Sequence, residues 1–510
     1  MGLHHLLHGF TTSRIGRSLL GRELDMTPTE CCPSPFAQAP NRRFGQAGRS
    51  APSDARELER EEENGAPSES DDLPVAVIGA GPVGLAAAAH LAARDRRAVV
   101  LEAGSGPGTS VREWGHVRLF SPWELCLDPV ARQMLQEAGW QPPPAGELPT
   151  GGELVARYLE PLADLPALRS MIRYGHRVTG VTRVGRDRLK GASRSERGAA
   201  PFAVRYESGG TRGRLLARAV IDASGTWTRP RPLGADGLPA RGEREASDRV
   251  HYGLPDVLGA ARERYAGKRI AVVGGGHSAA NVLLDLVRLK GEEPDTEPLW
   301  VLRGGPPGNV FRDEEDAEDE LEARGELERR LRGLVEEGPV RMVTEFGTRA
   351  VRPRGEGITL EDGTGRSLEV DRAVGVTGFR PDLEMLRELR LDLDPATEAP
   401  RDLGPLIDPN VHSCGTVPPH GEEELRHPEP GFYIVGMKAY GRAPTFLLPT
   451  GYEQVRSVVA SLAGDREAAR RIDLELPETG VCSADAALAA DEGGAAPAAA
   501  GDAGEVPRRG

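Results

Sequence analysis

Between Leu73 and about Leu476 the chain alternates short apolar runs with helical stretches and glycine turns. Runs such as VAVI at Val75 and RIAVV at Arg269 predict strands, and the alternation of strands with helices predicts α/β units with parallel sheets. Residues 1–72 break this pattern. They carry Pro, Ser and Gly, then the charge run DARELEREEE, with no sustained apolar period, and are expected to be disordered. The tail from about Ser483 to Gly510 is rich in Ala, Gly and Asp and reads as low-complexity.

Composition narrows the class. At 510 residues the chain has room for about three units. Only 38% of residues are hydrophobic and 5% aromatic, as expected for a globular body diluted by polar segments. The formal net charge of −14 argues against a nucleic-acid or anionic-membrane surface. No apolar run approaches the ~18 residues of a transmembrane helix. The opening MGLHHLLHGF fits neither a myristoylation site nor a secretory signal, and Met26 is a second candidate start. LPETG at Leu476–Gly480 lacks the hydrophobic span and basic end of a cell-wall sorting signal. The five cysteines (Cys31, Cys32, Cys126, Cys414 and Cys482) form no CxxC pair and suit a reduced, cytoplasmic protein. Only four of the 64 basic residues are Lys, so a single Arg carries little information.

Two segments carry specific chemistry. In VAVIGAGPVGLAAAAHLAARDRRAVVLEAG, a strand runs into Gly79-x-Gly81-x-x-Gly84, then an Ala-rich helix, then a strand ending at Glu102. Gly79 permits the tight turn. Gly81 lets the backbone approach a pyrophosphate at the helix N-terminus, and Gly84 lets helix pack on strand. Glu102, 23 residues after Gly79, is placed to accept ribose hydroxyls. The second segment, GKRIAVVGGGHSAANVLLDLVRL, repeats the pattern with Gly274, Gly276 and Ala279. Its following strand, PLWVLR, ends at Arg303 where an acid would select NADH, so Arg303 is expected to take the 2′-phosphate of NADPH.

Two such units about 195 residues apart resemble the flavoproteins with two dinucleotide-binding domains: flavin-containing monooxygenases and pyridine-nucleotide-dependent flavoprotein reductases. The resemblance implies an FAD-binding Rossmann-like domain with an inserted NAD(P)-binding Rossmann-like domain, and FAD and NADPH as cofactors. AVIDASGTWTRPRPLG, with Gly225, resembles the exit from the FAD domain. DRAVGVTGFRPD, with Gly378, resembles the return. The implied boundaries are a disordered 1–72, an FAD domain at 73–235 and 371–476, an NAD(P)H domain at 236–370, and a tail at 477–510.

GFYIVGMKAYGRAPTFLLPTGYEQVRSVVASLAGD resembles the segment in which a strand ending at Gly436 precedes a helix, here from about Gly451, aimed at the flavin. The family usually has Asp after the strand's final Gly, whereas this chain has Met437 and then Lys438. The monooxygenase signature F-x-G-x-x-x-H-x-x-x-aromatic is also broken. If His251 is its histidine, Gly242 lies nine positions before it rather than four, and Pro255 replaces the aromatic. The chain therefore resembles a divergent bacterial branch.

Trp114, His116, Phe120 and Trp123 are read either as walls of the flavin and substrate pocket or as core under a loop. His412, Cys414, His420 and His427 share one loop and match no zinc spacing, so no metal site is expected. They either line the mouth of the site or belong to a surface loop. Lys438, Tyr440 and Arg442 lie between flavin strand and helix, and one of them is expected to touch nicotinamide or substrate. The catalytic candidates are His116, Trp123, Lys438 and Tyr440. The acidic stretch RDEEDAEDELEARGELERRL reads as a solvated helix face.

The function expected is an FAD-dependent, NADPH-consuming oxidoreductase. The favoured type oxygenates a small soft nucleophile through a flavin hydroperoxide, with a small-molecule substrate and molecular oxygen as partners. The alternatives are an NAD(P)H-dependent reductase of a quinone, metal or small-thiol acceptor, and a non-catalytic flavin-binding redox sensor. A homodimer is left open.

Overall fold

The computed structural model describes residues 72–190, 193–305, 322–412 and 417–474. Cys31, Cys32, Cys414, Cys482, LPETG, both terminal segments and the start of the acidic stretch lie outside them.

Two five-stranded parallel sheets organise the chain. The first holds β1 (Val75–Ile78), β2 (Ala98–Leu101), β3 (Ile172–Arg173), β7 (Ala219–Asp222) and β16 (Phe432–Ile434) in the order β16-β7-β1-β2-β3. Between β3 and β7 lies an antiparallel three-stranded meander of β4 (Arg177–Arg183), β5 (Phe202–Ser208) and β6 (Thr211–Ala217). The second sheet holds β8 (Val250–Tyr252), β9 (Arg269–Val273), β10 (Glu297–Val301), β11 (Arg341–Val343) and β15 (Arg372–Gly375) in the order β11-β10-β9-β15-β8. Between β11 and β15 sits a second meander of β12 (Ala350–Arg354), β13 (Gly357–Glu361) and β14 (Ser367–Val370). The two halves therefore share one plan. Their parallel strands are apolar at successive positions because both faces are covered; all four residues of β1 are buried.

Helix α1 (Pro82–Ala92) follows β1 and is buried along almost its whole length. Its row of alanines lets it lie close on the sheet, and Pro82 sits where a missing N–H costs nothing. Short α2 (Thr109–Glu113) follows β2. In the second half α3 (His277–Glu292) follows β9, and a helix at Glu322–Glu336 leads to β11. Helix α4 (Leu448–Leu462) follows β16 and packs against α1.

The strand at 372–375 corrects one expected boundary. The sequence places it at the return into the first half, yet β15 pairs in parallel with β9 and β8. The crossing comes after it, where Pro230 bridges Phe379 and the Arg231 N–H donates to the Gly378 carbonyl at 2.9 Å. A short apolar parallel strand fits either sheet, so its residues alone do not choose.

Distant segments are tied by buried ion pairs. Glu429 accepts from Arg183 Nε at 2.9 Å and Arg197 Nε at 2.8 Å, all three side chains being buried. Removing the shared carboxylate would strand two guanidinium groups, a loss on the order of 3–5 kcal/mol.

Candidate functional site

Both glycine turns stand at the carboxyl ends of parallel strands, where open α/β sheets form crevices. In the first turn Gly79 has φ +97°, and a Cβ there would sit 2.8 Å from the Ala223 carbonyl oxygen. A Cβ on Gly84 would fall 2.0 Å from the Gly79 carbonyl oxygen, so this glycine serves helix packing. Gly81 is different. It caps α1 in extended backbone, and its Cβ direction is empty to 4 Å. Gly225, at φ +69°, is also open. Glu102 is buried, with Oε2 accepting from the Ala80 N–H and Oε1 from the Gly104 N–H, both at 2.7 Å. The carboxylate thus braces the turn itself, an arrangement not foreseen from the sequence.

The second turn repeats this. A Cβ on Gly274 would lie 2.4 Å from the Val376 carbonyl oxygen, while Gly276, capping α3, is open. Ala279 is fully buried against the sheet. Trp300, unflagged in the sequence, braces the turn by donating Nε1–H to the Gly274 carbonyl at 2.8 Å. Its signal was chemical: a buried indole N–H needs an acceptor. Arg303 is exposed just beyond β10, with Nη1 donating to the Ala235 carbonyl at 3.1 Å.

The residues around Gly436 depart from expectation. Gly436, at φ +67°, lies two residues beyond β16, and its N–H donates to Gln454 Oε1 at 2.7 Å. Gln454 in turn contacts His420 Nε2 at 3.0 Å, both side chains being buried. Helix α4 begins at Leu448, so Gly451 lies inside its first turn. A Cβ on Gly451 would press on Val83 at 2.7 Å, which makes it a packing glycine between α1 and α4. Gly378, expected at the cofactor, stands at the crossing and faces Arg231.

Three catalytic candidates are core residues. Trp123 is 1% exposed within the hydrophobic core. Tyr440 is fully buried, edge-on to Phe446 with centroids 5.2 Å apart, and burial raises its pKa. Lys438 is 1% exposed, its Nζ 2.7 Å from Asp222 Oδ2 and 3.0 Å from Ser224 Oγ. The lysine that follows Met437, the residue in place of the family's aspartate, is thus locked to the end of β7. Arg442 pairs with Glu398 at 2.6 Å. His116 alone of the four is exposed, and with Arg264 it lowers the pKa of His251, which burial depresses most.

His420 and His427 are neither mouth nor surface. Both are buried, and burial lowers both pKa values, that of His427 to about 4. Among the described residues no group of three or more His, Cys, Asp or Glu is placed to hold a metal. Cys126 is buried and donates to the Ser121 carbonyl, and burial pushes its thiol up to about 12.

The halves also touch near their carboxyl edges. Phe120 meets His277, the first residue of α3, with ring centroids 5.6 Å apart. Trp227 stacks on Phe379 at 4.8 Å and donates Nε1–H to Glu113 Oε2 at 2.6 Å. Beside this pair lies a cavity of about 380 Å³.

A family model described as pyridine nucleotide-disulphide oxidoreductase matches residues 73–418. Among solved structures, bacillithiol disulfide reductase from Bacillus cereus is 18% identical, with 77% of this chain and 99% of that one covered at a TM-score of 0.55. The Staphylococcus aureus enzyme of the same name is 15% identical, with 77% and 99% covered at 0.54. FAD-bound cadaverine monooxygenase from the desferrioxamine pathway of Erwinia amylovora is 16% identical, with 80% and 98% covered at 0.52. No curated protein matches the sequence. At these identities the likeness is one of fold. No described helix is long and apolar enough to cross a membrane.

Proposed function

Because the chain belongs to the pyridine nucleotide-disulphide oxidoreductase family and is an FAD-dependent oxidoreductase, we propose that it consumes NADPH and passes the electrons to molecular oxygen, oxygenating a small nucleophilic substrate. One observation carries the two-cofactor reading: both halves present a glycine at a helix N-terminus whose Cβ direction is empty, Gly81 and Gly276. A helix N-terminus with unpaired N–H groups and no side chain in the way suits a pyrophosphate.

In this reading Gly81 and Gly225 admit FAD, Glu102 holds the turn and offers its remaining lone pairs to the ribose, and the Gly436 backbone lies alongside. Gly276 admits the pyrophosphate of NADPH, and Arg303 leaves the Ala235 carbonyl for the 2′-phosphate. Bound FAD supplies the two-electron transfer from nicotinamide and the reaction with oxygen. The first turn of α4 offers the positive end of a dipole to negative charge on the reduced group. Lys438, paired with Asp222, is a positioning residue that fixes the end of β7 against Gly79.

Among the described residues the one cysteine is Cys126, and it favours oxygen over a disulfide as acceptor. The family name and two neighbours point to disulfides, yet this buried thiol, with its raised pKa, is a poor nucleophile. The test is rapid mixing of the NADPH-reduced protein with oxygen. A transient absorbance unlike oxidised or reduced flavin supports the oxygenase. Immediate return of oxidised flavin, with fast anaerobic turnover of a quinone or disulfide, supports the reductase.

A further inference from the structure

The cavity beside Trp227 is built from segments that meet only in the fold. Glu113 comes from the end of α2, Trp227 and Phe379 from the two crossing strands of chain, and His251, Tyr252 and Asp256 from the end of β8 and its following turn. At about 380 Å³ it suits a small molecule rather than a peptide.

The lining has a definite chemical character. Trp227 and Phe379 present stacked aromatic faces, with Tyr252 as a third ring. Leu254, Pro255 and Ala261 supply apolar wall. Two carboxylates contribute, and among the described residues neither has a cationic partner. Glu113 receives the Trp227 indole N–H, and Asp256 receives the backbone N–H groups of Gly259 and Ala260 at 2.9 and 3.0 Å. No described Lys or Arg belongs to the lining. Arg264, the cation that acts on His251, donates to the Asp248 carbonyl at 2.8 Å. His251 itself is held toward its neutral form by burial. Asp285, close enough to feel Asp256 and His116, is a third acid nearby, though it is paired with Arg288 at 3.1 Å and adds no uncompensated charge.

Aromatic faces and uncompensated carboxylates around a small cavity favour one ligand class, an organic cation. We propose that this cavity binds a small alkyl- or arylammonium, its charge toward Glu113 and its body against Trp227 and Phe379, and that an amine is therefore the substrate class; the second half rests on the oxygenase reading above. The reaction balances as R–NH3⁺ + O2 + NADPH → R–NHOH + H2O + NADP⁺. One N–H bond gives way to N–O–H, the nicotinamide supplies two electrons, and the ammonium's extra proton leaves in the water.

The probes are choline, a cation resistant to this chemistry, and 3,3-dimethylbutan-1-ol, its neutral isostere, titrated calorimetrically into the full-length flavin-loaded protein. Choline should bind at least about tenfold more tightly than the alcohol. Glu113→Gln keeps an acceptor for the indole N–H and should weaken choline about tenfold, leaving the alcohol unchanged. Trp227→Leu should weaken choline similarly, at unchanged flavin content. Equal affinities for the two probes, or choline binding indifferent to both variants, would overturn the site. NADPH consumption coupled to hydroxylamine formation, measured over a panel of primary amines, separates the two readings. Choline binding without amine oxygenation overturns the substrate class and leaves the cation site. Amine oxygenation without choline binding overturns the site and leaves the oxygenase.

Discussion

Two glycines three residues apart should respond to substitution in opposite ways. Gly81 caps α1 at φ −77° and ψ −175°, backbone open to any residue, and a Cβ there meets nothing within 4 Å. Threonine is itself a good cap, so Gly81→Thr leaves the fold undisturbed. It does fill the space through which the turn would approach a phosphate. Losing one charge-assisted N–H contact costs about 1.5–3 kcal/mol, or roughly 10- to 150-fold in affinity. Gly84→Ala instead drives a methyl to 2.0 Å from the Gly79 carbonyl oxygen. Backbone must move, at a cost of about 1–3 kcal/mol or more. The assay strips the flavin, titrates FAD by fluorescence quenching, and follows thermal unfolding of the stripped protein. Gly81→Thr should melt like wild type and bind FAD at least about tenfold more weakly, whereas Gly84→Ala should melt earlier before any flavin is added. If Gly81→Thr binds FAD as wild type does, or Gly84→Ala melts normally, the assignment of approach to one glycine and packing to the other is wrong.

Three further outcomes are expected. Lys438→Met strands the buried Asp222 carboxylate and should cost about 3–5 kcal/mol in urea unfolding. Adding Asp222→Asn should recover much of that, and an additive double variant would show that the pair is not coupled. Arg303→Ala should raise the Michaelis constant for NADPH about tenfold and leave that for NADH nearly unchanged; equal weakening of both would make Arg303 structural. His427, held at about 4 by burial against about 6.5 unfolded, binds its proton more readily unfolded. Its contribution is complete above about pH 6.5 and fades as pH falls toward 4, a span of about 3 kcal/mol. Wild type should therefore lose more stability than His427→Asn between pH 7 and 4.5, and parallel losses would contradict the burial argument.

What the sequence made legible was local. The strands at Val75 and Arg269, the turns after them and the helices beyond all lie within about 30 residues, and glycine spacing marks each joint. Residues whose roles depend on distant partners were misread. Lys438 reads as a candidate contact to nicotinamide or substrate because Asp222, which captures it, is 216 positions away. Trp123 reads equally as pocket wall or as core, because nothing local says whether a loop aromatic turns inward. Gly451 looked like an approach to the flavin, but Val83 of another helix defines its task. The cavity at Trp227 escaped notice for the same reason, since its walls come from four separate stretches.

The paired crossing at Pro230 and Phe379 bears on how the chain finds its fold. The second sheet takes all its strands from 250–375, whereas the first must wait for β16, about 210 residues after β7. On a growing chain the second sheet can close from contiguous material while the first is still missing an edge. Once it closes, its entry and exit lie hydrogen-bonded side by side, Arg231 N–H to Gly378 carbonyl. The loop that β16 must then close shrinks from about 210 free residues to about 60, which lowers its entropic cost by about 1 kcal/mol. The inserted half thus acts as an internal clamp for assembly of the outer one. A destabilising substitution confined to the insert should slow the docking of β16 and α4, far from the altered residue.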